Sequence, residues 1–155
     1  MKFTHLTSSG DAHMVDVSGK TPSVREATAV GTVTCSPDVI AALRDGTVPK
    51  GDVLAVARIA GIAGAKRVPD LLPLAHPIAL HAATVDLSIE DHGVDISVTV
   101  RTADITGVEM EALTGVTIAA LAIVDMIKGV DRSAEITSCR IIAKSGGRSG
   151  TWTRP

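Results

Sequence analysis

Aromatic side chains are nearly missing from this 155-residue chain, which has one Phe (Phe3), one Trp (Trp152) and no Tyr. A core without aromatics has to be packed from Val, Ile, Leu and Ala, small enough for helices to lie close on a sheet. The same scarcity removes the stacking platforms on which single-stranded nucleic acid binding depends. An excess of one charge is missing too. Lys and Arg number 15 against 17 Asp and Glu, a formal net charge of −2. No global basic field exists for nucleic acid or an anionic membrane, so any anion site must be local. The two cysteines, Cys35 and Cys139, lie far apart in no CxxC frame. They are expected as buried or half-buried strand thiols, with neither a disulfide nor a metal between them. Charges and glycines break every apolar run short of the about 18 residues a membrane span needs. The opening stretch, MKFTHLTSSGDAH, has no apolar leader core, and the expected location is the cytoplasm.

What is present is an aliphatic chain, 45% hydrophobic, of a length that suits one domain over residues 1–155. Residues 1–23 read as an irregular arm carrying a short apolar patch, AHMVDV, that docks on a neighbour. Val24 to Cys35 is β-branched and reads as a strand. Ser36, Pro37 and Gly46 mark the N-cap, first turn and end of a helix. A second helix, about Asp52 to Arg67, is built of small residues. Gly61 and Gly64 weaken it by roughly 1 kcal/mol each, a cost that points to close packing. Pro69, Pro73 and Pro77 forbid a continuous helix beyond it. Ala82 to Glu90 and Val94 to Arg101 alternate as a hairpin. Gly107 to Val130 is one long helix, Glu135 to Lys144 a last strand, and residues 145–155 a Gly-rich tail. The order predicts an α+β fold: a ferredoxin-like, four-stranded, mainly antiparallel sheet with helices packed on it.

The long helix is apolar except near its ends, where Glu109, Glu111, Asp125 and Lys128 stand. Glu111 and Asp125 share a face to within about 40°, yet lie about 21 Å apart along the axis. One straight helix cannot bring both ends to one small molecule. Either one end alone matters, or two copies pool opposite ends and the site lies between subunits. The plainer alternative is that the acids complement the helix N-terminus and Lys128 the C-terminus. KSGGRSG (144–150) can offer cations and backbone N–H groups to phosphates, or it is a solubilising tail. It lacks the GxxxxGK[ST] spacing of a P-loop. Lys50 sits on a restricted Pro–Lys–Gly turn. His76, clamped between Pro73 and Pro77, suits a phosphate contact or an acid. His5, His13 and His92 are expected to be solvated. No HExxH, CxxC, GxSxG or GxGxxG occurs, so neither a metal nor a cofactor is expected.

In this order, AHMVDV, VREA, KGDVLAVARIAGIAGAKR, LLPLAHP, TGVEMEALTGV, DMIK and AKSGGRSG resemble the cyclic pyranopterin monophosphate synthase family, the second enzymes of molybdenum cofactor biosynthesis. The likeness spans about residues 12–150. It implies conversion of 3′,8-cyclo-7,8-dihydroguanosine triphosphate, a small-molecule substrate, to cyclic pyranopterin monophosphate with release of diphosphate. It implies a ferredoxin-like fold and a homohexamer of three dimers with active sites at the dimer interface. The catalytic aspartate of the D-M-x-K motif falls on Asp125, with its lysine on Lys128 and that of the KGD motif on Lys50. Substrate contacts fall on Leu74, Ala75 and His76, on Glu109, Met110 and Glu111, and on Lys144, with Arg25 or Arg148 available to the triphosphate. Many members have Cys at the Ala75 position, so a thiol there is not essential if activity is retained. Arg148 replaces a Lys, and Arg binds phosphate at least as well. Two other classes compete: a nucleotide-binding module, with no use for Asp125 beside Lys128, and an oligomeric scaffold, for which the tail matters only to stability.

Overall fold

The computed structural model describes residues 5–155, so Phe3 lies outside the described residues. Among these the order is β1 (Ser23–Thr34), α1 (Pro37–Asp45), α2 (Val53–Ala65), α3 (Val68–Leu71), β2 (Ala82–Glu90), β3 (Gly93–Asp104), α4 (Glu109–Ile127), β4 (Glu135–Ser145) and β5 (Trp152–Thr153). The sheet order is β2-β3-β1-β4-β5, with every neighbouring pair antiparallel. The α+β expectation therefore holds, but the sheet has five strands rather than four. The fifth is a two-residue return of the tail, pairing Trp152 with Lys144 and Thr153 with Ala143. Two residues carry no alternation, so no periodic signal marks them. Arg154 completes the return: its backbone N–H and its Nε donate to the carbonyls of Ile142 and Ile141, both at 2.7 Å.

Alternation along the strands separates the two faces of the sheet. On β1, Ala27, Ala29 and Val33 are buried under the helices; on β3, Val94, Ile96, Val98 and Val100 are. Small faces large across the pair, with Ala29 opposite Val98 and Gly31 opposite Ile96. The other face is polar. Thr28 and Thr99 share a 3.0 Å hydroxyl contact, Thr32 donates to Asp95 at 2.8 Å, and Arg101 donates twice to Glu26. Asp91 and His92 close the β2–β3 hairpin, and β3 continues past Arg101 to Asp104. His92 pairs with Asp95 at 2.9 Å. His13, expected in solvent, has its Nδ1 buried with no hydrogen-bond partner among the described residues. Cys35 is half-buried as expected, whereas Cys139 is exposed, and both are free. Among the described residues β5 pairs only with Ala143 and Lys144, so the outer edge of β4 is unpaired at the level of Cys139.

The helices begin and end for local reasons. α1 has Pro37 in its first turn and ends at Gly46 in the left-handed conformation. Ser36 caps by position only; its N–H donates to Asp131 Oδ2 at 2.7 Å. Asp52 caps α2 by accepting from the Ala55 N–H at 2.9 Å. The short α3 was not expected and tolerates Pro69 in its first turn. α4, at 19 residues, is long and apolar enough to cross a membrane by length and composition. Here Ala112, Val116, Ala119, Ala120, Ile123 and Ile127 are fully buried in the core cluster it forms with α2 and the sheet.

The α2–α4 contact depends on missing side chains. A methyl group on Gly61 would stand 3.1 Å from the Gly115 carbonyl, and one on Gly115 would stand 3.3 Å from the Gly61 carbonyl. On Gly64 it would meet Ile118 Cβ and Cγ1 at 2.7 Å. Because Cβ is fixed to the backbone, only parting the helices relieves that clash. Gly64→Ala should therefore destabilise the fold: overpacking costs about 1–3 kcal/mol against a helix-propensity gain of at most about 1 kcal/mol. The check is a lowered urea midpoint with unchanged m-value; a raised midpoint would refute the packing account.

Candidate active site

The C-terminal end of α4 carries a carboxylate held by two ammonium groups. Lys128 Nζ lies 2.7 Å from Asp125 Oδ1, one helical turn along. Lys50 Nζ reaches Asp125 Oδ2 at 3.2 Å and also donates to the Asp125 carbonyl at 2.7 Å. Lys50 arrives from the turn ahead of α2, where the Gly51 N–H closes on the Val48 carbonyl at 2.9 Å. The hydrogen bonds from Lys128 and then Lys50, with their positive charges, hold the Asp125 carboxyl below its usual range. All three side chains are roughly half exposed. In a lone chain Asp125 is thus an ionised but weak base.

The N-terminal end of α4 is built differently. Glu109 is partly buried and lies 3.4 Å from Lys144 Nζ, which also donates to Ser149 Oγ. Glu111, one position beyond the exposed Met110, is only 4% exposed. Burial, reinforced by the neighbouring Glu109 charge, pushes its carboxyl up to about 7. A carboxyl so poised can give or take a proton at neutral pH. Arg25, near the start of β1, donates from Nε to the Asp104 carbonyl at 3.0 Å and from Nη2 to the Ile105 carbonyl at 3.2 Å. It lines a cleft of about 450 Å³ with Lys20, Thr21, Ser23, Gly147, Arg148 and Ser149.

The His76 loop joins this second end. His76 Nε2 sits 2.6 Å from the Val15 carbonyl, so the AHMVDV patch does dock, and Val17 is buried. Asp104 ties the loop to Arg25, since its Oδ2 accepts from the Ala79 N–H at 3.4 Å while its carbonyl accepts from Arg25. Leu74 is exposed and Ala75 half-buried on the same loop. The candidate residues thus fall into two groups at opposite ends of α4. Asp125, Lys50 and Lys128 form one; Glu109, Glu111, Lys144 and Arg25 gather at the other, with His76 tied to them. A single chain does not unite them. Lys20, in the irregular arm, was not singled out from the sequence, which carries no periodic or motif signal there. Among the described residues no group of three or more His, Cys, Asp or Glu is placed to hold a metal ion.

Glu111 makes the stability pH-dependent. Its carboxyl holds a proton more tightly folded (about 7) than at its ordinary 4.5. The contribution to stability is therefore complete below pH 4.5 and is lost as pH rises through about 7. From about pH 4 to about pH 8 the wild type should lose about 3 kcal/mol relative to Glu111→Gln. Urea titrations of both proteins across that range provide the check, and parallel pH profiles would contradict it.

Comparison with known proteins adds what geometry cannot. A protein named cyclic pyranopterin monophosphate synthase from Streptomyces coelicolor is 56% identical over 153 residues, covering 99% of this chain and 90% of its own length. Proteins of the same name from Nocardioides sp. and Geobacter sulfurreducens are 52% and 51% identical, each over 99% of this chain and over 96% and 98% of their own lengths. The MoaC family pattern matches residues 14–147, a span running from the docked arm through β1, the His76 loop and both ends of α4 to the Gly-rich loop. With Arg25, Lys50, His76, Glu111, Asp125, Lys128 and Lys144 all inside that span, the chain belongs to the MoaC family.

Proposed function

We propose that this chain makes cyclic pyranopterin monophosphate from 3′,8-cyclo-7,8-dihydroguanosine triphosphate, releasing diphosphate, within molybdenum cofactor biosynthesis. The observation that carries the reading is Asp125 bracketed by Lys50 and Lys128, on a chain whose family members bear that enzyme's name. Closing the cyclic phosphate needs a ribose hydroxyl to lose its proton and attack the α-phosphorus, while diphosphate departs with the P–O bond electrons. Opening and reclosing the ring skeleton needs further proton transfers. Asp125 serves as base and the two lysines as acids, and exclusion of water on assembly would raise the basicity of Asp125. Lys144, Arg25 and His76 take the phosphates, and Leu74, Ala75, Glu109, Met110 and Glu111 surround the purine-derived end.

The separation of the two groups along α4 supports active sites between copies, as in a homohexamer of three dimers. The strand order β2-β3-β1-β4 with both long helices packed on one face supports a ferredoxin-like reading, β5 being an addition. A continuous hydrophobic cluster supports one domain over residues 1–155. Free thiols at Cys35 and Cys139 are compatible with a cytoplasmic location.

Two measurements test this. Asp125→Asn should remain folded and lose diphosphate release by about a thousandfold, the scale expected when proton transfer is removed; full turnover by that variant would favour a binding module instead. Asp125→Asn and Lys144→Ala chains, each inactive, should regain about a quarter of wild-type activity when unfolded and reassembled together, because a two-fold interface leaves one intact site per mixed dimer. A mixture that stays inactive while forming mixed oligomers would rule out sites shared between copies.

A further inference from the structure

We infer that Gly147 is a positioning residue: its bare Cα seats the Arg25 guanidinium and aims the remaining Nη1 edge into the cleft as a phosphate donor. This rests on the proposed reaction for the identity of the natural substrate. The guanidinium is held on two sides. Nε and Nη2 are spent on the carbonyls of Asp104 and Ile105, so of its nitrogens Nη1 alone makes no hydrogen bond among the described residues. Gly147 closes the third side. A methyl group there would collide with Nη1 and stand 2.8 Å from Cζ and 3.2 Å from Nη2. The clash involves a side chain whose other two nitrogens are already fastened to main chain, so relief has to displace Nη1 or break those bonds.

The loop bearing Gly147 cannot retreat easily. Its neighbour Gly146 lies against the Val24 carbonyl and the Arg25 Cα, at φ +86°, where a side chain would meet main chain. Fastening the guanidinium before the ligand arrives lowers the ordering cost of binding. Arg25 and Gly147 line the same cleft as Lys20 and Arg148, which makes that space locally basic. The recognised chemistry is a diphosphate group, whether free or as part of a nucleoside triphosphate.

The test compares diphosphate binding by calorimetry, and the KM and kcat of turnover, in the oligomeric protein. Gly147→Ala should weaken diphosphate binding about tenfold, the scale of one charge-assisted hydrogen bond, and raise KM with little change in kcat. Gly150 has nearly the same φ, +66° against +68°, but open space around it. Gly150→Ala therefore imposes the same backbone strain and should leave binding intact. Gly147→Ala should add nothing in an Arg25→Ala background, where the collision is gone. Equal losses from Gly150→Ala and Gly147→Ala, or losses that add between Gly147→Ala and Arg25→Ala, overturn the inference. A wild type that turns over substrate but binds no free diphosphate overturns it and leaves the proposed reaction standing. One that binds diphosphate with this pattern but forms no pterin product retains it and removes the reaction.

Discussion

The backbone-to-backbone contact of α2 with α4 governs where the charged residues of the candidate site stand. Gly61 and Gly115 let each helix reach the other's carbonyls, and Gly64 admits Ile118. Docking at that distance brings the start of α2 to the end of α4. Lys50 stands three residues ahead of α2 and so arrives at Asp125. A larger residue at any of these glycines would press on the contact between the two helices. The absence of large side chains, which looks like a compositional peculiarity, is what lets Lys50 reach Asp125.

The two ends of α4 use opposite electrostatic strategies. At the C-terminal end the carboxylate is exposed and neutralised by two cations, so its charge is stabilised. At the N-terminal end Glu111 is withdrawn from water beside another carboxylate, so its charge is penalised. One group stays ionised and the other hovers near neutrality, an arrangement by which one site can supply both a charged and a protonatable carboxyl. A rigid helix about 28 Å long keeps them apart within a chain. Their cooperation would require a second copy, which would tie the proposed chemistry to assembly.

Much of the fold was legible because burial imposes period on sequence. β2 and the start of β4 fell where alternation placed them, and Pro37 and Gly46 bounded α1. What was not legible lacked a period. α3 is one turn, β5 is two residues, and Ser36 turned out to donate its N–H to Asp131 rather than cap with its side chain. The site followed the same division. Asp125, Lys128 and Glu111 stood out as charges on an apolar helix, whereas Lys20 lay in an arm without pattern and was found only by its place beside Arg25.

Composition, periodicity and motif order determined the aliphatic core, the α+β class, the long helix with charged ends and the family likeness. These are properties of neighbours along the chain, and local sterics and hydrophobic period write them into the sequence. Only the tertiary structure decided that Lys50 meets Asp125 across 75 positions, that Glu111 is dry while Asp125 is wet, and that Gly147 lies against Arg25. Those relations depend on which surfaces pack and how closely. Packing distance is set by all the side chains between two residues together, and no local stretch of sequence records it.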